Sequence, residues 1–249
     1  AATTGRRPGH VARWDGAERR VEYGADHRGQ WMGFHVRREE LARCLRGAAA
    51  AAGVDVRHCA KVTPRVDSCG RVLGVDDGTS TVRARLIIDA SGPRHWLARA
   101  LSLRIVRVSP PLVATFGRAA GELPAGSFEG VNSTDDGWEW CAQVEDDVLA
   151  WVRLSPVSSS RSREPPELLR HLQRLGRVSS VDATWRHVPD CAGAGYTVVG
   201  DAAAVVDPLS GHGVLSAVMS GMMAAEMGAA AACGTASESV AAEGYRRWM

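Results

Sequence analysis

The chain has 249 residues, 45% of them hydrophobic, and a formal net charge of +2. This length and apolar content allow one large domain, or two interleaved smaller ones, with a packed core, and they argue against disorder. The near-neutral charge gives no ground for a nucleic-acid or membrane partner.

Residues 1–30 are polar, rich in Gly and Arg and with little periodicity, and read as loop or as the tail of a preceding element. Phe34-His35-Val36 is strand-like, and a helix is predicted from Arg38 to Ala52. Leu41, Cys44, Leu45 and Ala48 follow the i, i+3, i+4, i+7 spacing of one buried face, with Gly53 as the C′ residue. VDVRHCAKVTPRV and GRVLGVDDG read as strands, the second ending in a hairpin signal at Asp76-Asp77-Gly78. TVRARLIIDA is the return strand. Between about 110 and 190, PLVATFGRA, GSFEGVNS, GWEWCAQV and DVLAWVRLS are short strands rich in β-branched and aromatic residues, which predicts antiparallel sheet. SSSRSREPP is a polar loop, PELLRHLQRLG a short helix stopped by Gly176, and VDATWRHV a further strand. The stretch from Val214, VLSAVMSGMMAAEMGAAAAC, contains Glu226 and many small residues, and reads as a buried helix rather than a membrane span.

The element order is βαβ, then a meander, then βα. It predicts a mixed α/β (α+β) chain: a parallel-sheet cofactor domain at 1–108 and 189–249, interrupted by an antiparallel-sheet domain at 109–188. Six cysteines (Cys44, Cys59, Cys69, Cys141, Cys191, Cys233) are scattered. No CxxC and no zinc-like spacing occurs, so the expectation is buried reduced thiols, no metal, and a cytoplasmic protein. AATTGRRPGH lacks the apolar core of a signal peptide.

The densest motif is GDAAAVVDPLSGHGV, residues 200–214. It follows the strand YTVV and precedes the long helix. Gly200 permits a turn or a close approach. Asp201 stands at the strand's C-terminal end, where open α/β sheets bind ligands; it accepts ribose hydroxyls or caps the following turn. Asp207 and Pro208 break the apolar run, and Ser210, Gly211, His212 and Gly213 lead into a helix whose bare N–H groups make an anion cradle. A long ligand with a sugar and an acidic ring would use both ends.

This string resembles the second FAD-binding motif of the flavoprotein monooxygenase superfamily, the p-hydroxybenzoate hydroxylase fold, which includes flavin-dependent halogenases and geranylgeranyl reductases. HVRREELARCLRGAAAAAGV, LIIDASGPRHWLAR and DDGWEWCAQVEDDVLAWVRL resemble other family segments in the same order, so the resemblance spans roughly residues 31–249. It implies a three-layer FAD-binding domain with an inserted antiparallel-sheet substrate domain. It also implies cofactor-binding roles for Arg38, Gly200, Asp201, Pro208, Ser210, Gly211, His212, Gly213 and Val214. Asp201 would contact the ribityl or pyrophosphate region, Pro208 would line the isoalloxazine, and the amides of 211–214 would face the flavin N1 and O2 edge. Arg38 begins a helix, where the dipole disfavours a cation; a ligand phosphate or a local carboxylate offsets that, and the resemblance points to FAD. His212 is the loop's ionisable ring, read either as a proton donor or substrate anchor, or as a residue whose backbone alone matters. Trp138 and Trp140 alternate along a strand and so share a face, as the roof of a substrate pocket or as core.

No strand–GxGxxG–helix precedes Arg38, so the chain is expected to be a fragment truncated at both ends and lacking the first βαβ element. Its sole lysine, Lys61, lies in a strand pattern and is not the counterpart of the halogenase lysine, which would fall outside the chain. After Pro208, Leu209-Ser210-Gly211-His212 departs from the Glu and Ser/Thr-rich run of tryptophan halogenases and the Phe-Ser-Ser run of phenolic ones. Trp138-Glu139-Trp140 also lacks the following Ile-Pro. The order of readings is therefore an FAD monooxygenase hydroxylating an aromatic or other electron-rich substrate through a flavin C4a-hydroperoxide, then a halogenase, then a geranylgeranyl-reductase-like enzyme. A degenerate, non-catalytic binding protein is the fourth reading. The implied partners are a small-molecule or peptide-borne aromatic substrate, with electrons from NAD(P)H or a partner flavin reductase.

Overall fold

A computed structural model describes residues 3–59, 61–123, 129–145, 147–159 and 164–249. Asp146, residues 126–128 of the GSFEGVNS strand and residues 160–163 of the SSSRSREPP loop lie outside them. The chain divides into two compact units, Ala1–Arg57 with Pro111–Asp182, and His58–Pro110 with Ala183–Met249. The first 57 residues thus join the sheet unit, whereas the sequence placed 1–108 together. The cause is strand pairing: Gly9–Trp14 runs parallel to Gly130–Thr134, with Val11 opposite Gly130.

The first unit is built on a seven-stranded sheet. In spatial order its strands are Gln173–Asp182, Leu112–Ala120, Val148–Pro156, Gly137–Glu145, Gly130–Thr134, Gly9–Trp14 and Ala17–Glu22. The expected antiparallel meander is present. Two assignments of secondary structure in this unit change. Residues 1–30 are not loop: Gly9–Trp14 and Ala17–Glu22 form a hairpin, and its turn residues Asp15 and Gly16 have φ of 51° and 76°. That pair of left-handed residues is the two-residue turn that matches strand twist. PELLRHLQRLG is not a helix either. It makes one tight turn at Glu167–Leu169 and then enters the Gln173–Asp182 strand. Leu169 is fully buried beside Cys141, Leu149 and Trp151, with Leu168, Leu172 and Val178 packed around them. Burying that cluster and completing the sheet edge outweigh local helix propensity. Gly176, expected to stop a helix, sits at φ 71° beside an irregularity in pairing with Phe116 and Arg118. Across the sheet, Gly117 leaves room for the Trp151 indole, which an added Cβ would meet at 2.9 Å.

Helix α1 (Arg38–Ala51) forms where expected, with Glu39 and Glu40 in its first turn. None of its residues is buried, and Leu45 is exposed, so its apolar stripe is not a core face among the described residues.

In the second unit, Ile87–Asp89 pairs in parallel with Tyr196–Val198, in the expected order. TVRARLIIDA is not one strand, however. Thr81–Arg83 pairs with Val72–Asp76, and after a break Ile87–Asp89 enters a different sheet. Helices α2 (Trp96–Ala100), α3 (Gly213–Ala232) and α4 (Glu238–Trp248) complete the unit. Its core joins Val72, Leu97, Val198, Val199, Ala202 and Tyr245, and the Tyr245 hydroxyl donates to the Val198 carbonyl at 2.9 Å. Helix α3 was expected to be buried. By length and composition it is apolar enough to cross a membrane, yet only Ser220 and Ala224 are buried. Four of the six cysteines are exposed rather than buried; Cys141 and Cys191 are the buried pair.

Candidate functional site

The 200–215 segment is a series of tight turns at the C-terminal end of the Tyr196–Val198 strand. Gly200 adopts φ 56°, and its amide donates to Ser220 Oγ at 2.9 Å, which fastens the turn to α3. A side chain there would be strained and would press on Ala217, whose Cβ lies 3.2 Å from the added atom. Gly200–Ala202 forms a single 3-10 turn, with Ala202 fully buried and Asp201 half-buried. The Asp201 carboxylate has no hydrogen-bond partner among the described residues. Asp207, by contrast, caps the next turn: its Oδ1 accepts from the Leu209 amide at 2.9 Å. Pro208–Ser210 makes that turn, and Gly211 ends it at φ 65°. Ser210 is committed to the loop itself, donating to the Asp207 carbonyl at 2.9 Å and accepting from the His212 amide at 3.3 Å.

His212 occupies the N-cap of α3 without a side-chain cap, and its ring is exposed. Its carbonyl accepts the Ser216 amide at 2.8 Å. The amides of Gly213, Val214 and Leu215 have no partner among the described residues. A 20-residue helix thus begins with three free N–H groups and the positive end of its dipole. An Asn, Asp or Ser N-cap would have closed that end; a glycine-flanked histidine leaves it open to a ligand.

In the first unit, Arg38 is the first residue of α1, exposed and without an ion pair among the described residues. Its neighbour Arg37 is engaged by Glu40 and by Glu145, each at 3.2 Å. Arg38, Arg118, His35 and Trp140 line one cavity of about 380 Å³. The Trp140 ring stands edge-on to the His35 ring at 6.0 Å. Trp138 and Trp140 do alternate onto one face, opposite Leu154 and Val152. Trp138 is buried, 5% exposed, while Trp140 reaches the cavity. Glu139 pairs with Arg153 at 2.8 Å, on the other face.

Arg118 and His35 carried no linear signal. Arg118 reaches the cavity wall because it lies opposite Ala150 across the sheet. Asp89 was also passed over. It is buried, 3% exposed, and its two oxygens accept from the Ser91 and Leu97 amides at 2.8 and 3.0 Å. The sequence IIDASG at a strand end was the available cue. Lys61, expected in a strand, lies before the Thr63–Val66 strand and is exposed. No group of three or more His, Cys, Asp or Glu residues able to hold a metal occurs among the described residues.

The family profile for tryptophan halogenase matches residues 18–245. The 1H-pyrrole-2-carbonyl-[peptidyl-carrier protein] brominase of Pseudoalteromonas luteoviolacea is 25% identical over 222 residues, which cover 78% of this chain and 54% of that protein. The digeranylgeranylglycerophospholipid reductase of Methanoculleus marisnigri is 27% identical, over 81% of this chain and 55% of its own length. The chain therefore spans about half the length of the curated relatives it matches. Among solved structures, the flavin-dependent brominase Bmp2 superposes with a TM-score of 0.83 at 20% identity, over 99% of this chain and 67% of that one. The flavin-dependent halogenase CmlS superposes with a TM-score of 0.81 at 21% identity, over 97% and 49%. The expected FAD-binding fold is the fold of these proteins. The family match also reverses the order of the readings, placing halogenase above hydroxylase.

Proposed function

The chain belongs to the tryptophan halogenase family, and from that premise we propose that it is part of an FAD-dependent halogenase acting on an electron-rich aromatic ring, either free or carried on a protein. The observation that carries the reading is the 200–215 segment: a carboxylate at Asp201 without a hydrogen-bond partner among the described residues, then a left-handed Gly211 and three amides opening α3 that are likewise without one. These residues fit FAD. The Asp201 carboxylate would accept hydrogen bonds from hydroxyls of the ribityl or ribose portion. The amides of Gly213, Val214 and Leu215, with the helix dipole behind them, stabilise negative charge on the ring edge of the reduced flavin. Pro208 and the glycines keep side chains away from the ring. When bound in its reduced form, FAD would supply the two electrons that, with two more from halide and substrate, reduce oxygen to water as a C–H becomes a C–halogen bond. A partner flavin reductase, rather than direct NAD(P)H, is the electron source in this reading.

Arg38 and Trp140 have separate tasks. Arg38, without an ion pair among the described residues, offers its guanidinium to an anionic group, and Trp140 offers an aromatic wall to a planar substrate. His212 acts through its backbone, at the N-cap. The test is an aerobic incubation of the full-length protein with FAD, NADH, a flavin reductase, bromide and a panel of pyrroles, indoles and phenols, read by mass spectrometry. The expected product carries the bromine isotope doublet; a gain of one oxygen instead would restore the hydroxylase. Asp201→Asn should weaken FAD binding by about tenfold, or about 1.4 kcal/mol, with folding unchanged. Three reductase relatives motivate a second assay, anaerobic saturation of a geranylgeranyl lipid, for which no product is expected.

A further inference from the structure

The two parallel strands of the second unit end in turns that are joined by one side chain. His95 is completely buried, 0% exposed, in the turn after Ile87–Asp89. Its backbone is left-handed, at φ 50°, a conformation that Gly adopts freely and that Asn, Asp and His adopt more readily than other residues. Its Nδ1 lies 2.7 Å from the Ala202 carbonyl, within the turn that carries Asp201. On the other side of the ring, Arg186 Nε–H donates to Nε2 at 2.8 Å. A guanidinium only donates and a carbonyl only accepts, so the tautomer follows from the partners: Nε2 is bare and Nδ1 carries the proton. Arg186 is itself held, its Nη1 and Nη2 donating to the carbonyls of Thr184 and Pro93 at 2.9 and 3.0 Å. The Asp89 carboxylate grips the amides of Ser91 and Leu97 on either side of His95, and its backbone carbonyl accepts the Val199 amide at 2.9 Å. The ring is thus held by one hydrogen bond at each nitrogen, Asp89 grips the backbone on either side of it, and the ring touches the Gly200–Ala202 turn at one point.

We propose that His95 is a positioning residue which, through its Nδ1–H bond to the Ala202 carbonyl, fixes the Gly200–Ala202 turn and sets where Asp201 presents its carboxylate to the cofactor. The proposal rests on the reading of that turn as part of the FAD site. Ligands of parallel sheets bind at the C-terminal ends of the strands, and a carboxylate there is useful only if its backbone is held still. The charged groups facing the ring are Arg186, Arg99 and Asp89. Burial, with Arg186 adding to it, lowers the His95 pKa below the ordinary imidazole value, so the ring stays neutral at physiological pH. A proton added to Nε2 would confront the Arg186 donor and break the arrangement.

The test uses the full-length protein with two substitutions. His95→Asn tolerates the left-handed backbone and keeps a donor for Ala202, but cannot titrate. His95→Ala keeps neither. FAD dissociation constants are measured by flavin fluorescence, and hydrogen exchange of the 199–205 amides is measured on the cofactor-free protein at one pH. The expected result is a rise of at least tenfold in the FAD dissociation constant for His95→Ala, with faster exchange in 199–205, and values within threefold of wild type for His95→Asn. Wild-type FAD binding should weaken as the pH falls below the ordinary imidazole range, and the Asn variant should lose that dependence. The proposal is overturned if folded His95→Ala keeps wild-type exchange and affinity, or if His95→Asn is as impaired as His95→Ala. If His95→Ala does not fold, the Asn variant and its pH profile decide. If the wild type binds no FAD, the cofactor reading fails on its own, and hydrogen exchange alone decides whether His95 holds the turn.

Discussion

At the scale of single residues, local environment separates groups that composition treats alike. Cys141 and Cys191 have their thiol pKa values raised to about 11, mainly by burial, whereas Cys44, Cys59, Cys69 and Cys233 are exposed. A thiol reagent at pH 7.5 should therefore titrate four cysteines quickly and two only after denaturation. Six fast thiols would contradict the packing around Trp151 and Tyr196. Gly211 shows the other side of residue chemistry. It needs φ 65° but has open space around its missing Cβ. Gly211→Ala should consequently cost only the backbone term, roughly 1–2 kcal/mol, in urea denaturation. Any larger loss of FAD affinity would then report the ligand's approach to the loop rather than instability.

At the scale of elements, the ends of strands and helices matter more than their middles. Helix α4 begins with Ser237 accepting the Val240 amide at 3.3 Å. The next residue, Glu238, reaches out of the helix to Arg71 and to the Gly195 amide. Its carboxyl pays a desolvation penalty, but the Arg71 and Gly195 hydrogen bonds outweigh it and lower its pKa. A lowered carboxyl pKa stabilises the folded chain above the ordinary carboxylate value, and that contribution is lost as the pH falls through the lowered one. Glu238→Gln should thus reduce stability at pH 7 and flatten its decline as the pH falls below the ordinary carboxylate value, as followed by thermal melts. A variant with the wild-type acid profile would remove Glu238 from the account. Helix α3 begins in the opposite way, with its first amides unclaimed. That contrast between two helices of one unit supports reading the α3 start as a ligand site and the α4 start as a joint.

At the scale of the whole molecule, the two units are interleaved along the chain. Gly9–Trp14 needs Gly130–Thr134, and Ile87–Asp89 needs Tyr196–Val198. Each pairing brings together residues more than a hundred positions apart. Cutting between 110 and 111 should leave neither half with a cooperative unfolding transition, and mixing the halves should restore one. Circular dichroism on the separate and mixed pieces checks this, and a cooperative melt of 1–110 alone would falsify the interleaved description. The same interleaving explains why the unit boundaries were misread. A strand's partner is invisible to local pattern when it lies so far along the chain.

Much of the candidate site could be read directly from the sequence, because its chemistry is backbone chemistry written in a contiguous string. Gly200, Asp201, Pro208, Gly211 and Gly213 announce turns and a helix start through their own allowed φ and ψ, wherever the rest of the chain goes. The α1 helix and the Asp76-Asp77-Gly78 hairpin are legible for the same reason. The Asp15-Gly16 hairpin carries an equally local signal, an Asp-Gly pair whose left-handed φ values match strand twist. Other features needed the folded chain. Leu168, Leu169 and Leu172 allow either a helix or a turn leading into an edge strand, and burial against Trp151 makes the choice. Arg118 joins Arg38 and Trp140 only through sheet register. His95 finds Ala202 and Arg186 only when two turns and a distant strand converge. Backbone conformation is a property of neighbours in sequence, whereas burial, register and hydrogen-bond partnership are properties of neighbours in space.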